Sequence, residues 1–258
     1  MAYKKGRPLI DTNLFFRIAS ALTFYPVEVL AYAVYKVLYG SKIFGRTKLQ
    51  KLKKAVLVSN HTTFLDPVLM SAAVYPRCAY HTLLESVVLV PFLGTLCRLL
   101  GGVPVPPSIR SMFNLPKECA KGLTHRRFIH LYPEGECYVQ NQDVFPFHPG
   151  AFLIAAELDI PVVPLATVFV SSGGKTPKPR VRLYVLDAVY PSRFNCKNPV
   201  TGKTNLKAVR VFAEYVRERI QSEINERGGT REFYKGHMPR VVGEGAYVVG
   251  EKAGVNVK

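Results

Sequence analysis

A chain of 258 residues, of which 48% are hydrophobic and 21% charged, can bury the core of one large domain or two small ones, which excludes a disordered or fibrous protein. The five cysteines are scattered without a C-x-x-C pair or a zinc-ligand spacing, which indicates reduced thiols in a cytosolic compartment. The formal net charge of +17 favours an anionic partner, and lipid headgroups, nucleic acid and an acidic protein all fit this requirement.

The N-terminal segment, residues 1–54, contains 11 Lys and Arg against 2 acidic residues and therefore holds over half of the net charge. Within it, Leu14–Tyr39 is apolar and long enough to span a bilayer, but charged residues and Pro26 interrupt it. This pattern predicts two amphipathic helices, about Leu9–Phe24 and Val27–Leu38, lying in one leaflet with basic flanks on anionic headgroups, and then a basic connector. A true membrane span and a helical hairpin packed on the protein's own core are the alternatives.

The stretch from Ala55 to Pro67 predicts a strand, a loop and a helix in direct succession. Ala55–Ser59 is a short apolar run typical of a buried strand, and Asp66 followed by Pro67 is a helix start in which Asp66 is the N-cap. His61 therefore stands at a strand end, close enough to pair with Asp66. A neutral imidazole held in one tautomer by a carboxylate can accept a proton from a hydroxyl near pH 7. The alternative is a helix cap beside an ordinary loop histidine.

The remainder of the chain alternates between strand and helix patterns, which predicts one α/β domain over residues 55–227 and an irregular tail over residues 228–258. A turn after the strand at 127–132 carries Glu134, and strand-end loops of such sheets are where ligands bind. The further predicted strands and extended segments are Cys78–Leu83, Val103–Pro107, Arg127–Tyr132, Ile160–Val170 and Arg180–Leu186, and the further predicted helices are Pro91–Leu100, Ser108–Leu123, a stretch that ends near Leu158, and Asn205–Arg227.

Four sequence blocks follow one another in the middle of the chain: NHTTFLDP at 60–67, GGVPV at 101–105, LYPEGE at 131–136 with PFHPGAF at 146–152, and IPVVPLA at 160–166. Together they resemble the glycerolipid acyltransferase family typified by lysophosphatidic-acid acyltransferases. The resemblance implies that His61 is the catalytic base with Asp66 as its partner, and that Glu134 and Gly135 lie at the acceptor site. It associates Ile160–Pro164 with the acyl chain. It also implies a single domain with a mixed β-sheet of about seven strands covered by helices, and a reaction that needs no metal and no cofactor.

Two of the blocks depart from the family pattern. The second usually ends Gly-x-x-x-x-Asp-Arg, where this chain has Pro106 and Pro107, and the third usually continues Thr-Arg, where it has Glu136 and Cys137. The missing arginines are the expected clamps for the acceptor's phosphate, and a carboxylate at position 136 disfavours a bare phosphomonoester. The candidate substrate-binding residues are therefore Asn60, Arg110, Glu134, Gly135 and His148, with Arg110 and His148 as candidate replacements for the clamp.

The expected reaction transfers a fatty acyl group from acyl-CoA or acyl-carrier protein to a hydroxyl of a lysophospholipid or glycerol-phosphate acceptor, first of all 1-acylglycerol-3-phosphate, at the cytoplasmic face of a membrane. A lyso-lipid without a phosphomonoester is the alternative acceptor. Two rival classes are a hydrolase that uses water and a basic nucleic-acid-binding protein, but the latter predicts stacking aromatics interleaved with basic residues, which the sequence lacks. The expected partners are an anionic membrane surface, the lyso-lipid and the thioester donor, and no nucleic acid.

Overall fold

A seven-stranded mixed β-sheet forms the centre of the computed structural model, which describes residues 8–105 and 114–238. All neighbouring strands of this sheet run parallel except β7 (Val162–Ser171) and β8 (Pro179–Val185), which are antiparallel to each other. The α/β class and the mixed sheet of seven strands are therefore confirmed. In spatial order the strands are β1 (Lys42–Phe44), β8 (Pro179–Val185), β7 (Val162–Ser171), β2 (Ala55–Ser59), β5 (Phe128–Leu131), β3 (Ala79–Leu84) and β4 (Gly102–Val105).

Helices cover both faces of this sheet, and for that reason β2 is buried along its whole length. One face of the sheet packs on α1 (Leu14–Tyr39) and α3 (Asp66–Val74). The opposite face packs on α6 (Leu115–Gly122), α7 (Gly150–Leu158) and α8 (Leu206–Glu226). The other helices in the described chain are α2 (Thr47–Gln50), α4 (Glu85–Leu89) and α5 (Leu93–Leu99), with short 3₁₀ turns at Pro191–Phe194 and Arg231–Phe233.

The prediction of an N-terminal helix pair is wrong, because α1 is one continuous helix from Leu14 to Tyr39. Asn13 caps it by accepting a hydrogen bond from the N–H of Phe15 at 2.9 Å. Pro26 lies on the exposed side of the helix, so the backbone hydrogen bond that it removes is at the outer surface. Packing of the opposite side against the domain keeps the helix whole, and its buried residues are Ser20, Phe24, Glu28 and Tyr35.

Two segments for which no strand was predicted contain strands. The predicted basic connector includes β1, which extends the sheet beside β8, so that the sheet begins before residue 55. The predicted irregular tail includes β9 (His237–Met238), which pairs antiparallel with β6 (Cys137–Tyr138) in a separate two-stranded ribbon. These strands are only two or three residues long, so their local sequence pattern is too short to predict them. Whether such a segment forms a strand depends on pairing with a distant strand. Residues 239–258 of the tail lie outside the described residues.

One short helix was not predicted, and another prediction lies partly outside the described residues. The helix predicted over Pro91–Leu100 is present as α5, whereas α4, which precedes it and is joined to it by a turn at residues 90–92, was not predicted. For the helix predicted over Ser108–Leu123, residues 106–113 lie outside the described residues, and the described part begins at Leu115. The remaining predicted strands and helices are present, with ends that shift by one or two residues.

Candidate active site

The loop between β2 and α3 brings an imidazole and a carboxylate together at the carboxyl edge of the parallel strands. His61 follows β2 by two residues, and its Nδ1 lies 3.0 Å from Oδ2 of Asp66, the first residue of α3. The His61 side chain keeps 18% of its surface exposed, whereas that of Asp66 is fully buried. Because Nδ1 faces the carboxylate, Nε2 is the ring nitrogen left for a substrate.

Asp66 is held by five hydrogen bonds and does not act as the predicted helix cap. Its Oδ2 accepts from the backbone N–H of Thr62 at 2.6 Å and of Thr63 at 2.9 Å, in addition to His61. Its Oδ1 accepts from the hydroxyls of the same two threonines at 3.1 and 2.8 Å. The carboxylate therefore faces back into the loop that precedes α3 rather than towards the first turn of the helix.

Glu134 fixes the backbone on which His61 stands. Its Oε1 accepts from the N–H of His61 at 2.9 Å, and its Oε2 accepts from the N–H of Phe145 at 3.1 Å. The side chain is only 5% exposed, and this burial raises the pKa of Glu134 to about 8, against the lowering effect of the two backbone hydrogen bonds. This geometry supports a role of Glu134 in bracing the His61 loop, and its contact with the acceptor stays a prediction.

Tyr132 supplies a flat apolar surface beneath the imidazole. Its ring stacks on that of His61 with centroids 3.8 Å apart and an interplanar angle of 18°. The backbone carbonyl of His61 also accepts a hydrogen bond from the N–H of Tyr138 at 2.9 Å. Three contacts restrict the imidazole ring of His61 to one orientation before any substrate binds: the stacking on Tyr132, the hydrogen bond from its backbone N–H to Glu134, and the contact of Nδ1 with Asp66.

Asn60 and Ser59 are engaged within the protein. The Asn60 side chain exchanges two hydrogen bonds with the backbone of Thr167 in β7, each of 2.9 Å, and so continues the pairing of β2 with β7 beyond the strand end. Ser59 is fully buried, and its Oγ lies 3.0 Å from Nε2 of His130. The amide of Asn60 thus acts as a brace in the described structure, and its predicted contact with substrate is untested. Burial excludes Ser59 as a nucleophile.

A cavity of about 310 Å³ is lined in part by Glu134 and Tyr138, both of which hydrogen-bond to the backbone of His61. Gly135, in its wall, has φ of 77°, which favours glycine, and a Cβ there would lie only 3.0 Å from Cδ2 of the His148 ring, so that the ring would have to shift. None of the described residues that line the cavity is Lys or Arg, and the predicted Arg110 lies outside the described residues. The lining residues are Glu134, Gly135, Glu136, Tyr138, Phe145, Pro146 and His148.

A buried histidine chain behind the site was missed in the sequence. His130 in β5 lies with its Nδ1 3.5 Å from Nδ1 of His81 in β3, and Nε2 of His81 lies 2.8 Å from the hydroxyl of Ser71. Burial lowers the pKa of His81 to about 3 and that of His130 well below its ordinary value, so both rings are neutral. The signal available in the sequence was only a histidine in the middle of each apolar strand.

The predicted acyl-chain segment, Ile160–Pro164, lies mostly within β7 and between β2 and β8. Val162 and Val163 are completely buried, so this strand forms part of the core. In the described residues no group of three or more His, Cys, Asp or Glu side chains is placed to hold a metal ion.

Comparison with known proteins agrees with this geometry. The acyltransferase family model matches residues 41–168, about half of the chain, and these residues include both the His61 loop and the cavity wall. The fold is similar to the crystal structure of the 1-acyl-sn-glycerophosphate (LPA) acyltransferase PlsC from Thermotoga maritima, with a TM-score of 0.58 and 18% identity over 84% of this chain and 97% of that one. The chain belongs to the glycerolipid acyltransferase family.

Two curated relatives carry the same family name. A 1-acyl-sn-glycerol-3-phosphate acyltransferase of Saccharomyces cerevisiae is 28% identical over 76% of this chain and 64% of its own length. The human 1-acyl-sn-glycerol-3-phosphate acyltransferase beta is 30% identical over 60% of this chain and 58% of its own length. The chain thus spans less than two thirds of the length of each of these relatives.

Proposed function

We propose that the chain transfers a fatty acyl group from a thioester to the free hydroxyl of a lysophospholipid, with 1-acylglycerol-3-phosphate as the first candidate acceptor. The observation that carries this proposal is the His61–Asp66 pair, set at the open edge of the sheet beside a cavity. The relatives from yeast and human, both named for acyl transfer to that acceptor, support it. The donor is acyl-CoA or acyl-carrier protein.

In this mechanism His61 is the general base. Its Nε2 accepts the proton of the acceptor hydroxyl while the oxygen attacks the thioester carbonyl, so that a C–O bond forms. The tetrahedral intermediate then expels the thiolate, the C–S bond breaks, and the imidazolium returns its proton to the sulfur. Asp66 keeps its charge throughout, holds Nδ1 protonated and stabilises the imidazolium.

The oxyanion of the tetrahedral intermediate needs hydrogen-bond donors, but several backbone N–H groups near the His61–Asp66 pair are engaged within the protein. The N–H of Gly135 donates to the carbonyl of Tyr132, and the N–H groups of Thr62 and Thr63 donate to Asp66. At the start of α3, the N–H groups of Asp66 and Val68 donate to the carbonyls of Thr63 and Leu65, and Pro67 has no N–H.

A second candidate acceptor is a lyso-lipid that lacks a phosphomonoester. The specific observation in its favour is the lining of the cavity, which includes the carboxyl groups of Glu134 and Glu136 but no described Lys or Arg. A phosphomonoester would gain little attraction from these walls. His148 is the basic side chain that the described wall offers to a phosphate.

We also propose that α1 lies along one leaflet at the cytoplasmic face of a membrane. The helix is long and apolar enough to cross a bilayer. However, its buried residues from Ser20 to Tyr35 pack on the domain over most of the length of the helix, and this docking favours a position in the interface over a span. The opposite side exposes large apolar side chains, among them Phe15 at 78%, Leu22 at 73% and Val37 at 82%.

Incubation of the protein with a labelled long-chain acyl thioester and a panel of lyso-lipids tests the reaction. The acylated product should appear with a lysophospholipid acceptor, and His61→Ala should lower its rate by about 10²–10⁴-fold. The matched control is His125→Ala, which removes an exposed histidine outside the site and should leave the rate unchanged. Near-normal turnover by a folded His61→Ala protein would remove the proposed base, and release of free fatty acid without an acceptor would favour a hydrolase.

A further inference from the structure

The segment between β3 and β4 presents an apolar tip that the fold leaves uncovered. It consists of α4, the turn at residues 90–92 and α5, and is called here the Phe92 hairpin (residues 85–99). Phe92 is 92% exposed, the highest value of any large apolar residue in the described chain, and its backbone has φ of 59°, an unfavourable angle for a residue other than glycine. Four neighbours are 41–48% exposed, namely Leu89, Val90, Leu93 and Leu96.

This tip is a built element rather than a loose loop. A side chain at Gly94 would meet the carbonyl oxygen of Val88 at 1.8 Å, which shows how closely α5 packs against the end of α4. The N–H of Gly94 donates to the carbonyl of Val90 at 2.8 Å and closes the turn behind Phe92. The hairpin is therefore held in a shape that points its largest apolar side chain away from the protein.

The Phe92 hairpin is also joined to α1. The Ser20 hydroxyl of α1 donates to the carbonyl of Leu99, and the Arg98 guanidinium lies over the Phe16 ring at 5.3 Å. The guanidinium of Arg126 links this contact to the sheet, because it donates to the Ser20 hydroxyl at 2.7 Å and to the carbonyl of Ala79, the first residue of β3, at 2.6 Å. The exposed apolar surfaces of α1 and of the hairpin thus belong to neighbouring, mutually bonded elements.

The topology places the hairpin on the same side as the candidate active site. The hairpin leaves the carboxyl end of β3 and the His61 loop leaves that of β2, and both strands run parallel to β5, which lies between them. Both connections therefore emerge at one edge of the sheet. Within the His61 loop, Phe64 and Leu65 are 51% and 43% exposed, which adds apolar surface next to the catalytic pair.

We propose that the Phe92 hairpin is a second membrane-inserting element, which enters the same leaflet as α1 and sets the active-site edge against the bilayer. This inference rests on the proposed membrane position of α1. A lipid occupant fits better than a protein partner for two reasons. First, the twelve residues 86–97 contain no charged side chain. Second, the chain as a whole carries a net charge of +17, over half of it in the first 54 residues. An apolar tip on a basic protein is the combination that binds an anionic leaflet.

The chain contains no tryptophan, so a single introduced one reports its own surroundings without background. Phe92→Trp places the probe at the tip, and Val200→Trp is the matched control, because Val200 is 91% exposed in a distant turn before α8. Each full-length protein is mixed with vesicles of phosphatidylcholine and phosphatidylglycerol, with or without brominated acyl chains. The tip probe should shift its emission to the blue and be quenched by bromine, and the control probe should do neither.

The affinity for the same vesicles gives an independent measure. Phe92→Asp should weaken binding at least about tenfold, since one large apolar side chain no longer enters the acyl region, whereas Val200→Asp should not change it. Vesicle binding of the Phe92→Trp protein without a blue shift or quenching overturns the inference and leaves α1 as the sole anchor. Absence of vesicle binding by the unmodified protein overturns both membrane proposals. Acyl transfer to a detergent-dispersed acceptor is measured separately, so that failure of the proposed reaction can be told apart from either outcome.

Discussion

Replacement of Asp66 by asparagine separates the charge of this residue from its geometry. Two rigid backbone N–H groups, those of Thr62 and Thr63, point at Oδ2 and cannot turn away. The new amide must therefore place its oxygen at that position and its NH₂ group at the position of Oδ1. There it meets two threonine hydroxyls, which can rotate to accept. The Nδ1–H group of His61 then still donates to an oxygen of residue 66, so His61 keeps its tautomer.

The loss should then be electrostatic and of moderate size. Opposite unit charges about 4 Å apart attract by about 4 kcal/mol at an effective dielectric constant of about 20. The neutral hydrogen bond that remains is worth about 1 kcal/mol. The imidazolium that forms in the transition state thus loses about 3 kcal/mol, which lowers kcat by about 10²-fold.

The assay follows labelled diacyl product, because two of the free cysteines, Cys78 and Cys97, are partly exposed and would react in a thiol-release assay. Asp143→Asn is the control, since it removes a carboxylate from an exposed pair with Arg231 and should leave kcat unchanged. A loss below about fivefold in a protein of normal thermal stability would refute an electrostatic role of Asp66. A loss near 10⁴-fold would show that the amide turns its NH₂ group towards His61 and disturbs the tautomer.

Three further substitutions test the surroundings of this pair. Glu134→Gln turns an NH₂ group towards one of two backbone donors and should lower the free energy of unfolding by about 1–3 kcal/mol. Burial raises the pKa of Glu134 to about 8, so the folded wild type binds this proton more tightly than the unfolded chain does. In denaturant titrations, the free energy of unfolding of the wild type relative to Glu134→Gln should therefore fall as pH rises from about 4.5 to about 8. A difference that stays constant over this range would show that the carboxyl titrates with an ordinary pKa. Gly135→Ala should raise KM for the acceptor and lower the melting temperature, because a strained backbone costs about 1–3 kcal/mol and the new methyl group displaces the His148 ring; unchanged values would contradict the close contact. His130→Leu should lower the free energy of unfolding by about 1–3 kcal/mol for each partner left unpaired, Ser59 and His81, and a neutral effect in urea would contradict the hydrogen-bonded chain.

Features that depend on neighbours in the sequence were predicted correctly. The order of strand, loop and helix around His61 follows from an apolar run and an Asp-Pro pair, and five residues of separation are enough to bring Nδ1 of His61 to the carboxylate of Asp66. The alternation of strands and helices likewise defined an α/β sheet, because each of these elements is long enough to show its own periodicity. The resemblance to the acyltransferase blocks added the strand count.

Features that depend on distant partners were decided by the tertiary structure. Pro26 marks a helix break by local rules, yet α1 stays whole because its buried side packs on the domain and the proline faces outwards. The pairing of His81 with His130 joins residues 49 positions apart, and the bond from Ser59 to His130 spans 71. The orientation of Asp66 towards its own loop, rather than towards the helix, was also set by the two threonines and the imidazole together. The sequence by itself determined the fold class and the pairing of His61 with Asp66, since both arise from local patterns, whereas burial and long-range hydrogen bonding determined which side chains brace that pair.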